Sequence, residues 1–370
     1  MLPKLFKSNF NKKTLCKYSL SGNNLSSSQK RISEVCNKIS KSENEIFELY
    51  GSSDWIFNKE KEFSSFFASS NTQFFPTGAM AQQVAYLAFF LTHNIDRKQR
   101  LIALQENSQL RSNEFFAFQS IHGISEIIFN DLNTTFIATL PEYTFLIIEI
   151  PNRNQPQYIP TLQSLQEVHK LAKTKKIHLH LDGARLIEMM GSYGKQLCLD
   201  YLKHFDTAYI SLYKALNSIH GAALLSPKFM RNDIIKLRRS LGGELKDFSF
   251  QYLFQQRSLP NAITESKTWH NNAVKIASRL SSIKGITILP QIPIANFFHV
   301  YFDLPASTMY AWRNQIADMY SVWMFSFFKD ISASKCWAEI MIYDAYTNIS
   351  TTTFDKILKN LTNLLMQQSN

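Results

Sequence analysis

The stretch HLDGAR at residues 180–185 decides the fold of this chain. It follows an amphipathic segment over 161–176 that is typical of a helix and an apolar run over 177–181 that is typical of a buried strand. The acidic Asp182, two small residues and Arg185 come directly after that run. In open parallel sheets, ligands bind beyond the carboxyl ends of the strands. Asp182 is therefore predicted to face a ligand rather than the core.

The same alternation of helical and apolar segments extends to both sides of this stretch. A helix is predicted over 80–91, and further short strands are predicted over 100–104, 126–129, 145–150, 207–212 and 222–225. Short strands that alternate with helices favour an α/β fold. Such a fold has a mostly parallel central sheet with helices on both faces.

Beyond residue 260 the pattern changes to an α+β arrangement. Helices are predicted over 264–283 and 351–367, and strands over 286–289, 297–303 and 337–343. We therefore expect three parts along the chain. They are a basic N-terminal arm with a helix over 1–45, a large domain over 46–260 and a smaller C-terminal domain over 261–370.

The composition is that of a folded protein with an uneven charge. Of the 370 residues, 45% are hydrophobic and 19% are charged, and the net charge is +11. Residues 1–41 contain nine Lys or Arg and one Glu, which leaves the rest of the chain at about +3. We interpret this segment as a solvated basic arm, with a targeting peptide or an anion-binding arm as alternatives. The nearly neutral remainder argues against nucleic-acid binding.

Other compositional features bear on location and on metals. No apolar run reaches the roughly 18 residues that a membrane span needs, so we expect no membrane partner. The four cysteines lie far apart and without C-x-x-C spacing, which argues against a disulfide framework or a metal site. A reducing compartment, the cytoplasm, is the expected location.

Two further strand ends carry polar side chains. The strand over 207–212 contains Ser211 and leads to Lys214, and the turn over 76–79 precedes a helix. A lysine just past a strand can form a Schiff base with an aldehyde cofactor when its amine is desolvated or its pKa is lowered. The free N–H groups of a helix start can bind phosphate, and the Thr77 and Ser211 hydroxyls can assist.

Each of these features alone has an ordinary structural interpretation. A strand-end Asp is often a helix cap, and a lysine after a strand is usually solvated. Their order in one α/β domain, namely a phosphate turn, then Asp182, then Lys214, favours a site for pyridoxal phosphate (PLP). The protonated pyridine nitrogen of that cofactor pairs with an aspartate.

At these residues the chain resembles the low-specificity L-threonine aldolase / β-eliminating lyase family of PLP enzymes. HLDGARL over 180–186 closely matches a family signature, PTGAMA over 76–81 is similar to its Ser-Gly-Thr-Met-Ala phosphate turn, and SLYK over 211–214 resembles its lysine segment. The resemblance covers most of the chain. It implies the aspartate-aminotransferase-like fold of PLP enzymes, called fold type I, and a homodimer or homotetramer with the active site between two subunits.

The resemblance also implies roles for individual residues. Lys214 would bind the cofactor covalently, Asp182 would pair with the pyridine nitrogen, and Arg185 would face the cofactor's phenolic oxygen or the substrate carboxylate, which makes these three the catalytic candidates. The phosphate would be held by Thr77, Gly78, Ala79 and Ser211. Gln109 occupies the position, five residues before Glu114, where the family has a histidine on the outer face of the cofactor ring.

That substitution leaves the catalytic base open, because glutamine cannot act as a base near neutral pH. Water or His122 are the alternatives. The implied reaction is that of a PLP-dependent lyase, which cleaves Cα–Cβ of a β-hydroxy-α-amino acid to give glycine and an aldehyde. β-Elimination or transamination of a small amino acid would use the same residues. A non-catalytic family member is the third hypothesis.

Overall fold

The structure is a computed structural model that describes residues 12–22, 28–39, 50, 53–156, 158–246 and 257–367. The chain divides into two compact units, one of which is Glu34–Ala262 and the other of which combines Met1–Ser33 with Ile263–Asn370. The division into 1–45, 46–260 and 261–370 stays a prediction. Residues 1–11 of the basic arm lie outside the described residues. Within the described residues, every helix is too short or too polar to cross a membrane.

The strands form three sheets. In chain order they are β1 (Tyr18–Ser19), β2 (Asn71–Phe75), β3 (Leu101–Gln105), β4 (Ser125–Phe129), β5 (Phe145–Glu149), β6 (His178–Asp182), β7 (Thr207–Ser211), β8 (Ala222–Ser226), β9 (Ile286–Leu289), β10 (Phe297–Phe302), β11 (Val322–Trp323), β12 (Lys329–Ser332) and β13 (Lys335–Met341).

Helices separate most of these strands. In chain order they are α1 (Ser28–Ile39), α2 (Asp54–Phe66), α3 (Gly78–Thr92), α4 (Gln109–Ser112), α5 (Ala117–Ser120), α6 (Thr134–Thr139), α7 (Leu162–Thr174), α8 (Leu186–Tyr193), α9 (Lys195–Leu202), α10 (Arg231–Ser240), α11 (Leu259–Ser281), α12 (Ala306–Tyr320) and α13 (Thr351–Gln367).

A seven-stranded sheet forms the centre of the unit Glu34–Ala262. Its strand order is β2-β8-β7-β6-β5-β3-β4. Strands β3 to β7 run parallel to one another, whereas β8 is antiparallel to both of its neighbours, β2 and β7. The predicted α/β fold with a mostly parallel sheet is therefore confirmed. Because β5 and β6 are parallel and in register, their last residues, Glu149 and Asp182, are direct neighbours at the carboxyl edge.

Helix α3 connects that edge to the core. Thr77 caps its start by accepting a hydrogen bond from the Met80 N–H. The apolar sequence of α3 packs between α10 and the strands β2, β6, β7 and β8. Phe145 of β5 is fully buried beneath it, packs against Phe89, and stacks on His178 at 4.8 Å between ring centroids. Aromatic packing of this kind fixes α3 on the sheet, and with it the position of its N-terminus.

The second unit contains the antiparallel sheet β12-β13-β10-β9 and the short parallel pair of β1 and β11. Arg313 of α12 is fully buried, its guanidinium lies 3.9 Å from the Trp323 ring centroid, and it donates to the Phe325 carbonyl at 3.1 Å.

The predicted strand over 286–289 coincides with β9. The sequence analysis did not predict α12 or β12.

The Phe145 cluster gives a direct test of this core. Replacing Phe145 by Ala removes a fully buried ring and leaves a cavity, so we expect the free energy of unfolding to fall by about 3–5 kcal/mol in a urea titration. Ile128→Ala on β4 is the control, because that side chain is 41% exposed and should contribute less than about 1 kcal/mol. Equal effects of the two changes would contradict this packing.

Candidate active site

Asp182 lies at the centre of the carboxyl edge. It is the last residue of β6 and is only 2% exposed. Its Oδ2 accepts a hydrogen bond from Gln82 Nε2 of α3 at 2.8 Å, and its Oδ1 accepts one from the Ala184 N–H at 3.1 Å. Both donors are neutral, so these two hydrogen bonds orient the buried carboxylate without adding a positive charge to it.

Lys214 follows β7 and is half-buried near this carboxylate. Burial and the nearby Arg185 guanidinium lower the pKa of the Lys214 amine to about 7, although the negative charges of Asp182, Glu188 and Glu149 oppose the shift. A large part of this amine is therefore uncharged at neutral pH. An uncharged amine is the nucleophilic form of lysine.

Arg185, the last residue of the HLDGAR stretch, is buried and stands at the N-cap position of α8. Its charge adds to the lowering of the Lys214 pKa that burial causes, and it opposes the rise that burial causes in the Glu149 pKa, so the three side chains share one electrostatic environment. The other two catalytic candidates, Asp182 at the end of β6 and Lys214 after β7, also influence each other electrostatically. The structure thus brings together all three residues that the sequence analysis proposed as catalytic.

The start of α3 lies against β7. A Cβ atom on the buried Gly78 would lie 2.3 Å from the Tyr209 hydroxyl, so glycine is required where the helix start meets this tyrosine. The N–H groups of Gly78 and Ala79 are in the first turn of the helix and have no acceptor within it. Thr77 is exposed beside them. This arrangement is suited to an anion.

Ser211 adds a polar group near the same helix start. It ends β7, and its buried hydroxyl makes no hydrogen bond of normal geometry within the described residues. Burial raises the pKa of the Tyr209 phenol, and the nearby Ser211 hydroxyl offsets only part of that rise. A buried hydroxyl without an acceptor is destabilising unless another molecule supplies one. Ser211 is therefore a good candidate for a ligand contact.

Two acidic side chains near Asp182 were not identified as site residues from the sequence. Glu149, at the end of β5, is buried, and one of its carboxylate oxygens accepts from the Arg153 N–H at 3.2 Å while the other has no hydrogen bond within the described residues. Burial and then the Asp182 charge raise the pKa of Glu149 to about 7 and that of Glu114 to about 8. The strand-end position of Glu149 was the available signal.

Gln109 and His122, the remaining candidates, make their hydrogen bonds away from Asp182 and Lys214. Gln109 begins α4, where its side-chain oxygen accepts a hydrogen bond from Asn113 Nδ2. His122 Nε2 lies 2.8 Å from Gln83 Oε1, and burial lowers the pKa of His122. None of the interactions described for His122 involves Asp182 or Lys214, so the structure gives this alternative base no contact with the centre of the site.

Comparison with known proteins identifies the family. Residues 47–302, more than half of the chain, match the family model for β-eliminating lyases. The chain belongs to this family. It is 22% identical over 134 residues to the low specificity L-threonine aldolase of Escherichia coli O157:H7, a match that spans 36% of this chain and only 40% of that protein. The resemblance seen in the sequence motifs is therefore confirmed.

Solved structures of β-eliminating lyases and threonine aldolases share the fold. A candidate L-allo-threonine aldolase from Listeria monocytogenes EGD-E superposes with a TM-score of 0.85 at 24% identity, covering 98% of this chain and 100% of that chain. A candidate aromatic amino acid β-eliminating lyase/threonine aldolase from Exiguobacterium sp. 255-15 gives 0.84 at 24% identity, covering 96% and 99%. The predicted fold type I architecture is confirmed.

The lowered pKa of the Lys214 amine can be tested without any substrate. We expect Lys214 in the cofactor-free protein to react with an acylating reagent with a midpoint near pH 7, measured by peptide mass spectrometry. The same lysine in urea-unfolded protein is the control, with an expected midpoint near 10.4. Arg185→Gln should raise the folded-state midpoint, because the guanidinium charge disfavours the protonated amine. A folded-state midpoint equal to the unfolded one would contradict this environment.

Proposed function

We propose that this family member binds PLP, with Lys214 as the covalent anchor and Asp182 beneath the pyridine nitrogen. The observation that carries the proposal is a half-buried lysine, with its pKa lowered to about 7, beside a buried carboxylate at the carboxyl edge of a parallel sheet. Asp182 is held by two neutral donors and lies near the partly protonated Lys214 amine, so a protonated ring nitrogen would add a second positive charge beside it. The cofactor, when bound, supplies the electron sink for reactions at Cα of an amino acid.

The phosphate of the cofactor has a matching cradle. The amides of Gly78 and Ala79 and the hydroxyls of Thr77 and Ser211 would hold it at the start of α3. The fit is supported by two independent features of the chain, the buried Ser211 hydroxyl without an acceptor and the glycine that Tyr209 requires. The positive end of the helix dipole adds to this preference for an anion.

The reaction that we propose is cleavage of a β-hydroxy-α-amino acid into glycine and an aldehyde, as in a threonine-aldolase-like lyase. Membership of the family and the similarity to a low specificity L-threonine aldolase support it. Arg185 would bind the substrate carboxylate, because a guanidinium fork bonds both carboxylate oxygens. Gln109 carries no titratable proton, so the proton of the β-hydroxyl must pass to another side chain or to water.

A second reaction is supported by the family itself. β-Elimination would use Lys214, Asp182 and Arg185 in the same positions, and the family is that of β-eliminating lyases. The two reactions differ in their products, since elimination gives ammonia and a 2-oxo acid whereas aldol cleavage gives glycine and an aldehyde. Product analysis therefore separates them.

We also propose a homodimer or homotetramer in the cytoplasm. The oligomer is supported by two aromatic side chains exposed next to the site residues, Phe115 after Glu114 and Tyr213 before Lys214, since exposed aromatic residues are enriched at interfaces. The location is supported by four free cysteines, of which three are buried.

Cofactor binding is tested by absorbance spectroscopy with added PLP. We expect wild-type protein to show the visible band of a lysine-bound cofactor and to change that band when threonine is added, because the substrate amine displaces the lysine. Lys214→Ala should lack the band, whereas the control Lys203→Ala, an exposed lysine paired with Asp200, should keep it. Folded wild-type protein without a band would contradict the proposed function.

The reaction is tested by identifying products from L-threonine, L-allo-threonine and serine. We expect glycine and acetaldehyde from at least one threonine isomer, with a rate at least about a thousandfold lower for Lys214→Ala. Ammonia and a 2-oxo acid, with no glycine, would instead establish β-elimination. If the protein binds PLP but forms no product from any amino acid, the hypothesis of a non-catalytic family member is supported.

A further inference from the structure

A continuous series of hydrogen bonds leads through the buried sheet to Asp182. His178 Nε2 lies 2.9 Å from the Thr207 hydroxyl, and that hydroxyl lies 2.8 Å from His180 Nδ1. His180 Nε2 lies 3.0 Å from Gln82 Oε1, and Gln82 Nε2 lies 2.8 Å from Asp182 Oδ2. All five side chains are buried, and they come from β6, β7 and α3.

The chemistry of these groups fixes the direction of every bond. An ionised Asp182 can only accept, so the Gln82 amide nitrogen must face it and the Gln82 oxygen must face His180. His180 Nε2 must therefore carry its proton. Burial lowers the pKa of His180 well below its usual range, so the ring is neutral and its Nδ1 accepts from the Thr207 hydroxyl.

The same reasoning extends to the far end of the series. The Thr207 oxygen, which donates its proton to His180, can accept one from His178 Nε2. Burial holds the pKa of His178 at about 4, so this ring is also neutral and its unprotonated Nδ1 lies 4.0 Å from Asp206 Oδ2. Every donor in the series thus points toward Asp182.

We propose that Gln82, His180 and Thr207 are positioning residues that act on the cofactor ring through Asp182. They lock the Gln82 amide in the orientation that donates to Oδ2, and this aims the Asp182 carboxylate at the ring-nitrogen position. Without the Thr207 hydroxyl, His180 can hold its proton on Nδ1 instead. Gln82 is then free to turn its oxygen toward Asp182, where it repels the carboxylate. This inference rests on the proposed function, because it requires the cofactor at Asp182.

A purely structural role is the competing explanation, since buried polar groups need partners in any core. The two explanations predict different effects on the binding of different ligands. A structural defect weakens binding of every ligand at the site equally. Misorientation of Asp182 weakens the binding of only those ligands whose ring nitrogen pairs with its carboxylate.

The experiment compares the dissociation constants of PLP and of its 1-deaza analogue, in which carbon replaces the ring nitrogen. Thr207→Val keeps the side-chain shape and removes the hydroxyl, and Thr207→Ser is the matched variant that keeps the hydroxyl. We expect Thr207→Val to weaken PLP binding about tenfold, the effect of losing one hydrogen bond to a charged group. Binding of the analogue should change less than about twofold, and Thr207→Ser should bind both as wild type does.

Three results would overturn the proposal in distinguishable ways. If Thr207→Val raises the dissociation constants of PLP and the analogue equally, or leaves that of PLP unchanged, the positioning role is rejected, whereas the proposal that the wild-type protein binds PLP still stands. Wild-type protein that binds no PLP would reject the proposed function and this inference together. Gln82→Met, which replaces the amide by an apolar chain of similar length, gives the same comparison if Thr207→Val does not fold.

Discussion

The burial of a negative charge at Asp182 is the constraint on which the rest of the site depends. An ionised carboxylate in a protein interior is strongly destabilising unless donors and a counter-charge surround it. Gln82 and Ala184 supply donors but no positive charge. The nearby Lys214 amine supplies only part of that charge, because its pKa is lowered to about 7. The protonated ring nitrogen of the proposed cofactor would supply a further positive charge.

The neighbouring titratable groups respond to the same buried charge. Burial moves Lys214 toward its neutral amine, and burial together with Asp182 moves Glu149 and Glu114 toward their neutral acids. The site consequently concentrates groups that exchange protons near neutral pH in one place. The same local features that would hold the proposed aldehyde cofactor on Lys214 thus also create candidates for proton transfer.

The sequence predicted the parts of this molecule that local patterns determine. The alternation around HLDGAR predicts β6, and the turn before Met80 predicts the start of α3, because strand and helix signals are both local. The partners of Asp182 could not be predicted in this way. Gln82 is 100 residues from Asp182 along the chain, and Glu149 becomes its neighbour only through the register of β5 and β6. Sheet order and register arise from tertiary packing, which a single sequence does not display.

The departures from the family pattern separate cofactor binding from the choice of reaction. Gln109 stands where the motif resemblance predicts a histidine, and its side-chain oxygen accepts from Asn113 and takes no part in the hydrogen bonds that hold Asp182. The features that fit the cofactor, from the Gly78 turn to Lys214, are thus independent of the position that changed. A reaction that needs a base has to draw on solvent or on the carboxyl groups at the sheet edge. Divergence at Gln109 can therefore alter which bond of a bound amino acid breaks while the anchoring of the cofactor stays the same.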